Sequence, residues 1–243
     1  MFYWQNNTLI NCIFAIINII NIILMKLYKS LIATLCLAGM MMSCSPSGSS
    51  TQDNTTATAA QVDTGKVVIE TIMARRSIRQ YKDRPVNRDT VQLLLTCGIN
   101  APNGMNKQPW AIRVTDNPEY INGVTEVFKK VNPKMAEAPE FKNMFRNAPT
   151  IIFVANDPTA SSSQIDCGLL GENIMLAAQA LGLGTCCLGS SAAFIQNNPQ
   201  ASEYLERLNL PKGYKLLYCI AVGYPDESPA AKERDASKIE FID

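Results

Sequence analysis

Arg75-Arg76-Ser77-Ile78-Arg79-Gln80-Tyr81 places three guanidinium groups and a hydroxyl within five residues. The stretch follows an apolar run of helical character, Val67-Val68-Ile69-Glu70-Thr71-Ile72-Met73-Ala74. A helix ending there presents three permanent cations and several donors at one place. Arginine forks match phosphate oxygens and carbonyl edges in a bidentate way. Read alone, the stretch is a solvated basic helix end, favoured by the helix dipole. The rest of the chain changes that weighing.

A chain of 243 residues allows one or two domains, and a hydrophobic content of 47% is ample for a globular core. The formal net charge is +1, so no domain-wide basic surface points to nucleic acid as a partner. The chain contains no histidine. That removes Ser-His-Asp and Cys-His catalysis and every histidine-containing metal site. An enzyme with this composition needs another source of chemistry, and a bound organic cofactor is one answer. Three of the eight cysteines, Cys12, Cys36 and Cys44, lie near the N-terminus. The other five, Cys97, Cys167, Cys186, Cys187 and Cys219, sit mostly in apolar contexts, where a thiol behaves as a small hydrophobe. Cys186-Cys187 resembles neither a zinc half-site nor a Cys-x-x-Cys pair. An odd number argues against a full disulfide framework.

Residues 9–24 are an uncharged run rich in Ile and Asn. A second start-like methionine then opens Met25-Lys26-Leu27-Tyr28-Lys29, followed by an apolar stretch from Leu31 to Met42 and by Ser43-Cys44. This is a basic n-region, an h-region and a small residue before a cysteine. The end resembles a bacterial lipoprotein cleavage site with Cys44 as the lipidated residue, although Met41 stands where Leu is usual. The alternative is a single membrane anchor over 9–42, interrupted by Lys26 and Lys29. The expected organisation is a targeting segment over 1–44 with its start at Met25, a tether over 45–65, and a globular domain over 66–243. The tether is Ser, Thr, Gly, Ala, Gln and Asp with almost no large apolar residue, and it cannot build a core. The expected location is the cell envelope, anchored in a membrane by lipid and facing the periplasm; the alternative is the cytoplasm.

Within the domain, Val67 to Arg75 reads as the first helix. Asn87 or Asp89 can cap a second, Thr90 to Asn100, whose Val91, Leu94, Leu95 and Ile99 follow helical spacing. The stretch 101–110 is too rich in Pro, Gly and Asn for regular structure. It runs into a short strand, Ala111 to Thr115, and a helix, Pro118 to Val131. Residues 132–148 are polar and read as partly helical. Thr150 to Ala155 is an apolar run of strand length, consistent with burial on both faces. Ser163 to Leu183 is the longest helix and is apolar nearly all round, which places it centrally or at a subunit interface. Gly182 and Gly184 stop it. Thr185 to Gly189 is a short strand or turn, Pro199 to Asn209 a helix, and Lys215 to Gly223 a second buried strand. Helices alternating with buried strands define one α/β or α+β domain.

Four pieces line up in order: Arg75-Arg76-Ser77-x-Arg79; Ala-Pro-Asn-Gly-x-Asn-x-Gln-Pro-Trp at 101–110; Gly182-Leu183-Gly184-Thr185-Cys186-Cys187-Leu188-Gly189 after the long helix; and Val222-Gly223-Tyr224-Pro225 followed by Lys232-Glu233-Arg234. Together they resemble the nitroreductase family of FMN-dependent oxidoreductases over about residues 66–243. The resemblance implies an α+β sandwich, a mixed central sheet flanked by helices, built as an intertwined homodimer with FMN at the interface. It implies that Arg75, Lys232 and Arg234 hold the FMN phosphate. It places Arg76, Ser77 and Arg79 on the ribityl chain and pyrimidine edge. It brings Pro102, Asn103, Gly104 and Asn106 to the partner's flavin, with Gln108 near the ring. It sets the backbone of Cys187, Leu188 and Gly189 against the flavin N5 edge. Two departures stand out: Asn103 replaces a usual Ser, and Cys187 stands where Trp is frequent, so an aromatic wall is missing.

The function this implies is ping-pong electron transfer. NAD(P)H or another donor reduces FMN, and a nitroaromatic, quinone or similar acceptor takes the electrons at the same face. No protein acid, base or metal is assigned. The rival expectations are a flavin-binding envelope lipoprotein without turnover and a structural lipoprotein on an enzyme-derived fold. No Gly-x-Gly-x-x-Gly follows a strand, so a separate Rossmann site is not supported.

Overall fold

The computed structural model describes residues 63–242. The proposed targeting segment, Cys44 and nearly all of the proposed tether lie outside the described residues. The first helix, α1 (Thr64–Ala74), starts inside the stretch assigned to the tether, because the Asp63 carboxylate accepts from Lys66 N at 3.1 Å and caps it. Next come α2 (Arg88–Ile99), β1 (Trp110–Thr115), α3 (Pro118–Val131) and a single turn, α4 (Pro133–Ala136). The second half holds β2 (Thr150–Asn156), α5 (Ser163–Ala180), β3 (Gly184–Leu188), α6 (Gly189–Asn197), α7 (Ser202–Arg207) and β4 (Lys215–Gly223). No helix among the described residues is long and apolar enough to cross a membrane.

The two apolar runs, β2 and β4, form the middle of a four-stranded sheet of order β1-β2-β4-β3. All seven residues of β2 are buried, as a strand covered on both faces requires. Alternation then sorts the side chains. Ile151 and Phe153 of β2, with Cys219 and Ala221 of β4, enter one core beneath α3 and α6. Ile152 and Val154, with Ile220 and Val222, enter the other beneath α2 and α5. The Phe153 ring meets Tyr120 and Phe145 edge-on, at 5.8 and 5.9 Å between centroids. The fold is α+β. Every pair of these strands is antiparallel, and the parallel component of the expected mixed sheet is a single bridge, Ser77 to Thr185.

Two helix readings are corrected and one helix is added. The long helix ends at Ala180 rather than Leu183, because Gly182 takes φ +71° and Leu183 N bonds back to Ala178 O at 2.8 Å. That is the six-to-one bond of a Schellman stop. The helix expected over 199–209 divides into a 3₁₀ turn, Pro199–Ala201, and α7. Finally, α6 was not anticipated. Its opening Gly-Ser-Ser is poor in helix propensity, and no side chain caps it.

Candidate active site

After α1 the chain runs extended past the ends of two strands. Ile78 N donates to Thr185 O at 2.8 Å, next to the Ser77 bridge to β3. On the other side Lys82 N donates to Tyr224 O at 2.9 Å and Asp226 N to Gln80 O at 3.0 Å. The first, third and fourth sequence motifs thus meet. Two glycines that pair across β3 and β4, Gly184 and Gly223, make the approach possible. A Cβ on Gly184 would lie 2.9 Å from the branched carbons of Ile78, and one on Gly223 would lie 2.7 Å from the Tyr81 ring. The Tyr81 hydroxyl donates to Ile78 O at 2.6 Å, and burial raises its pKa, so it serves as a fixed donor.

The three arginines have different duties. Arg76 turns back, donating from Nη1 to Met73 O at 2.6 Å and Arg75 O at 2.8 Å, and so satisfies carbonyls at the end of α1. Arg79 donates from Nη1 to Ser77 O at 3.0 Å, and its backbone N–H donates to the Glu227 carboxylate. Arg75 donates from Nε to Glu172 Oε1 of α5 at 3.0 Å. Among the described residues its terminal nitrogens make no hydrogen bond, leaving half of the fork open. Glu172 was missed in the sequence. Its signal was there: it is the one carboxylate in the apolar stretch from Cys167 to Ala178.

β3 is an edge strand. Thr185 O points outward to Ile78, and antiparallel alternation puts the N–H and C=O of Cys187 on the same outer edge. Cys187 is the exposed residue of β3. Desolvation, then Cys186 and Glu172, push its thiol pKa up, so it remains a thiol near neutrality. Directly after β3, a Cβ on Gly189 would meet nothing within 4 Å, and the first turn of α6 has no side-chain cap. Backbone donors and open space therefore lie together there.

The other assigned residues lie apart within one chain. The loop at 101–108 docks on the start of α5. Gly104 N donates to Asp166 Oδ1 at 3.2 Å, and Asn103 Oδ1 accepts from Gln108 N at 2.9 Å. Met105, Asn106 and Gln108 take positive φ, and Pro102, Asn106 and Gln108 are exposed. Asp166 precedes Glu172 by six residues, about 9 Å along a helix. Lys232 and Arg234 lie on the exposed tail. Arg234 reaches the carbonyls of Lys232 and Glu233 at 3.4 Å.

Beside Leu188 opens a cavity of about 980 Å³, whose walls include Arg79, Tyr81, Phe128, Phe141, Arg146 and Ser191. Its outer wall, residues 140–148, is stitched by asparagines. Asn147 Oδ1 accepts from Lys142 N and Asn143 N at 2.8 and 2.9 Å, and Asn143 Oδ1 accepts from Phe145 N and Asn147 N at 2.9 and 3.0 Å. The Ser191 hydroxyl pins this wall to α6 through Met144 O at 2.9 Å. Among the described residues no group of three or more Cys, Asp or Glu side chains is placed to hold a metal.

The sequence profile described as the nitroreductase family matches residues 72–224, more than half of the chain. A Vibrio harveyi protein named NADPH-flavin oxidoreductase is 29% identical over 173 residues, covering 68% of this chain and 69% of its own. A Bacillus subtilis FMN reductase [NAD(P)H] is 25% identical and is covered to 69%, as is this chain. Among solved structures, a Bacteroides fragilis nitroreductase with bound FMN superposes with a TM-score of 0.62 at 29% identity, over 72% of this chain and 98% of that one. An FMN-dependent nitroreductase from Clostridium difficile R20291 gives 0.63 at 28% identity with the same coverage. The fold is that of an oxidoreductase class. The chain belongs to the nitroreductase family.

Proposed function

We propose that the chain passes electrons between two small molecules that visit it in turn, a donor such as NAD(P)H and a nitroaromatic or quinone acceptor. It is an oxidoreductase of the nitroreductase type, and its cofactor is FMN. Bound there, FMN would supply the hydride and electron chemistry that the side chains do not offer. The chain's own residues bind and tune. The open terminal nitrogens of Arg75 suit phosphate oxygens, and the guanidinium of Arg79 suits a carbonyl edge. A fixed cation beside that edge stabilises negative charge that develops there. The outward N–H of Cys187 and the first turn of α6 offer backbone donors to the ring.

The observation that carries this reading is the outer edge of β3, where the Cys187 N–H faces outward beside open space at Gly189 and where the Arg75–Arg79 stretch meets the strand through the Ser77 bridge to Thr185. Pro102, Asn103, Gly104 and Asn106 complete the site only if a second copy brings this loop in, so the working unit is a homodimer. Purification of the full chain tests the reading. FMN released on denaturation, one per chain, is the expected result; a colourless protein that takes up no added FMN would overturn it.

The location is a separate proposal, resting on Met25–Cys44. A lipid at Cys44 would hold the domain at an envelope membrane, where NAD(P)H is scarce. The donor there would be a reduced quinone, a flavin or an electron-transfer protein. Fractionation of cells carrying the native gene or Cys44→Ala tests it. Membrane association lost in the variant is expected, and soluble cytoplasmic protein in both would end the proposal.

A further inference from the structure

The cavity beside Leu188 carries a feature that the cofactor does not use. Arg146 lines it and makes no hydrogen bond or ion pair among the described residues. Its backbone takes φ +59°, and Asn147 follows at +63°. Consecutive non-glycine residues in the left-handed region are uncommon and strained, and they persist only where the surroundings enforce them. Here the enforcing contacts are the Asn143–Asn147 bonds and the Ser191 pin described above. The wall is thus built to hold Arg146 where it is. Arg79 lines the same cavity, and among the described residues no carboxylate pairs with its guanidinium; the Glu227 carboxylate on that wall accepts from the Arg79 backbone N–H. The lining also carries apolar groups, Phe128, Phe141 and Leu188, together with Lys134 and Lys142 and the acids Glu140, Asp226 and Glu227. At about 980 Å³ it is larger than a single ring needs.

We propose that this cavity is the acceptor site and that Arg146 makes it selective for flat aromatic or quinoid acceptors bearing a carboxylate or sulfonate. The acceptor ring would lie against the phenylalanines and Leu188, and its anionic group would be gripped by Arg146. A planar fork suits such groups in a bidentate way. This rests on the oxidoreductase reading above and adds the substrate class.

The test compares 4-nitrobenzoate with 4-nitrobenzyl alcohol, which differ in charge and share the reducible group. The variant is Arg146→Asn, since asparagine tolerates the left-handed backbone; Arg146→Lys restores the charge without the fork. The ratio of kcat/KM for the benzoate to that for the alcohol is expected to fall about tenfold or more in Arg146→Asn and to recover in part in Arg146→Lys, the scale of one charge-assisted hydrogen bond. An unchanged ratio overturns the proposal. So does a loss confined to the half-reaction with NAD(P)H, which is itself anionic. Calorimetric titration of the oxidised protein with 4-nitrobenzoate needs no turnover and is expected to show the same weakening. Binding that depends on Arg146 without reduction of either compound would leave the anion site standing and refute the oxidoreductase reading. Reduction of both with binding indifferent to Arg146 would do the reverse.

Discussion

Arg75 Nε stands 3.0 Å from Glu172 Oε1, so the first cation of the opening motif is held by the long central helix while its terminal nitrogens have no hydrogen-bond partner among the described residues. The pair is partly exposed, and such pairs contribute at most about 1 kcal/mol to stability. Its value is in aiming the fork. Arg75→Ala is therefore expected to weaken FMN by about 1.5–3 kcal/mol, the scale of a charged hydrogen bond, with little change in folding. Fluorescence titration of apoprotein with FMN measures it, and undiminished affinity would remove Arg75 from the phosphate.

The Gly184–Gly223 pair is what lets residues 77–82 lie against the strands. Gly223→Ala sets a methyl 2.7 Å from the Tyr81 ring and 3.0 Å from Pro149, neither of which is a flexible end. A cost of about 1–3 kcal/mol in urea unfolding is expected. Gly168 is the contrast. Within its own chain it lies exposed in α5 with nothing within 4 Å of a Cβ, so in the monomeric Ile69→Glu/Ile72→Glu background Gly168→Ala is expected to stabilise by about 0.5–1 kcal/mol. Equal effects of the two substitutions would contradict the close-approach argument.

Much of this arrangement was legible in the chain. The strands read as Thr150 to Ala155 and Lys215 to Gly223 declared themselves as long apolar runs between turn residues, and Pro118–Val131 read as a helix with the bounds observed. The motifs around Arg75, Gly184 and Gly223 were each weak, and only their order gave them meaning. The pairing of Arg75 with Glu172, 97 residues on, was not legible, because a lone acid in an apolar helix does not name its partner. Nor was the Arg146 wall, since its asparagine bonds follow from a left-handed turn that no glycine marks.

Arg88 grips Asp116 through two bonds, Nε to Oδ2 at 3.0 Å and Nη2 to Oδ1 at 2.8 Å, and that pairing lowers the Asp116 pKa. A carboxyl depressed in the folded state contributes stability above its unfolded pKa, about 3.9, and loses it as pH falls through the lower folded value. The pair is exposed, so the effect is small. Urea midpoints measured from pH 6 down to the acid limb should fall less steeply for Asp116→Asn than for the parent. Parallel curves would show that the pair is not coupled to folding.

α1 has no buried residue although it carries Val67, Val68, Ile69, Ile72 and Met73. Ile165 and Leu169 of α5 are exposed as well. In the proposed homodimer the second copy covers such surface. Light scattering of the parent should give twice the chain mass, and Ile69→Glu with Ile72→Glu should shift it toward the monomer with loss of flavin. A flavin-loaded monomer at low micromolar concentration would refute the dimer.

The central claim is that this chain turns over electrons through bound FMN. The direct measurement is an anaerobic visible spectrum of the FMN-loaded protein, first titrated with NADH or NADPH and then given a quinone or a nitroaromatic. The flavin band should bleach with one equivalent of nicotinamide and return in full when the acceptor is added, each step proceeding without the other reagent. A flavin that stays oxidised with every donor tried, including dithionite-reduced quinone, or one that is reduced but passes nothing on, would contradict it.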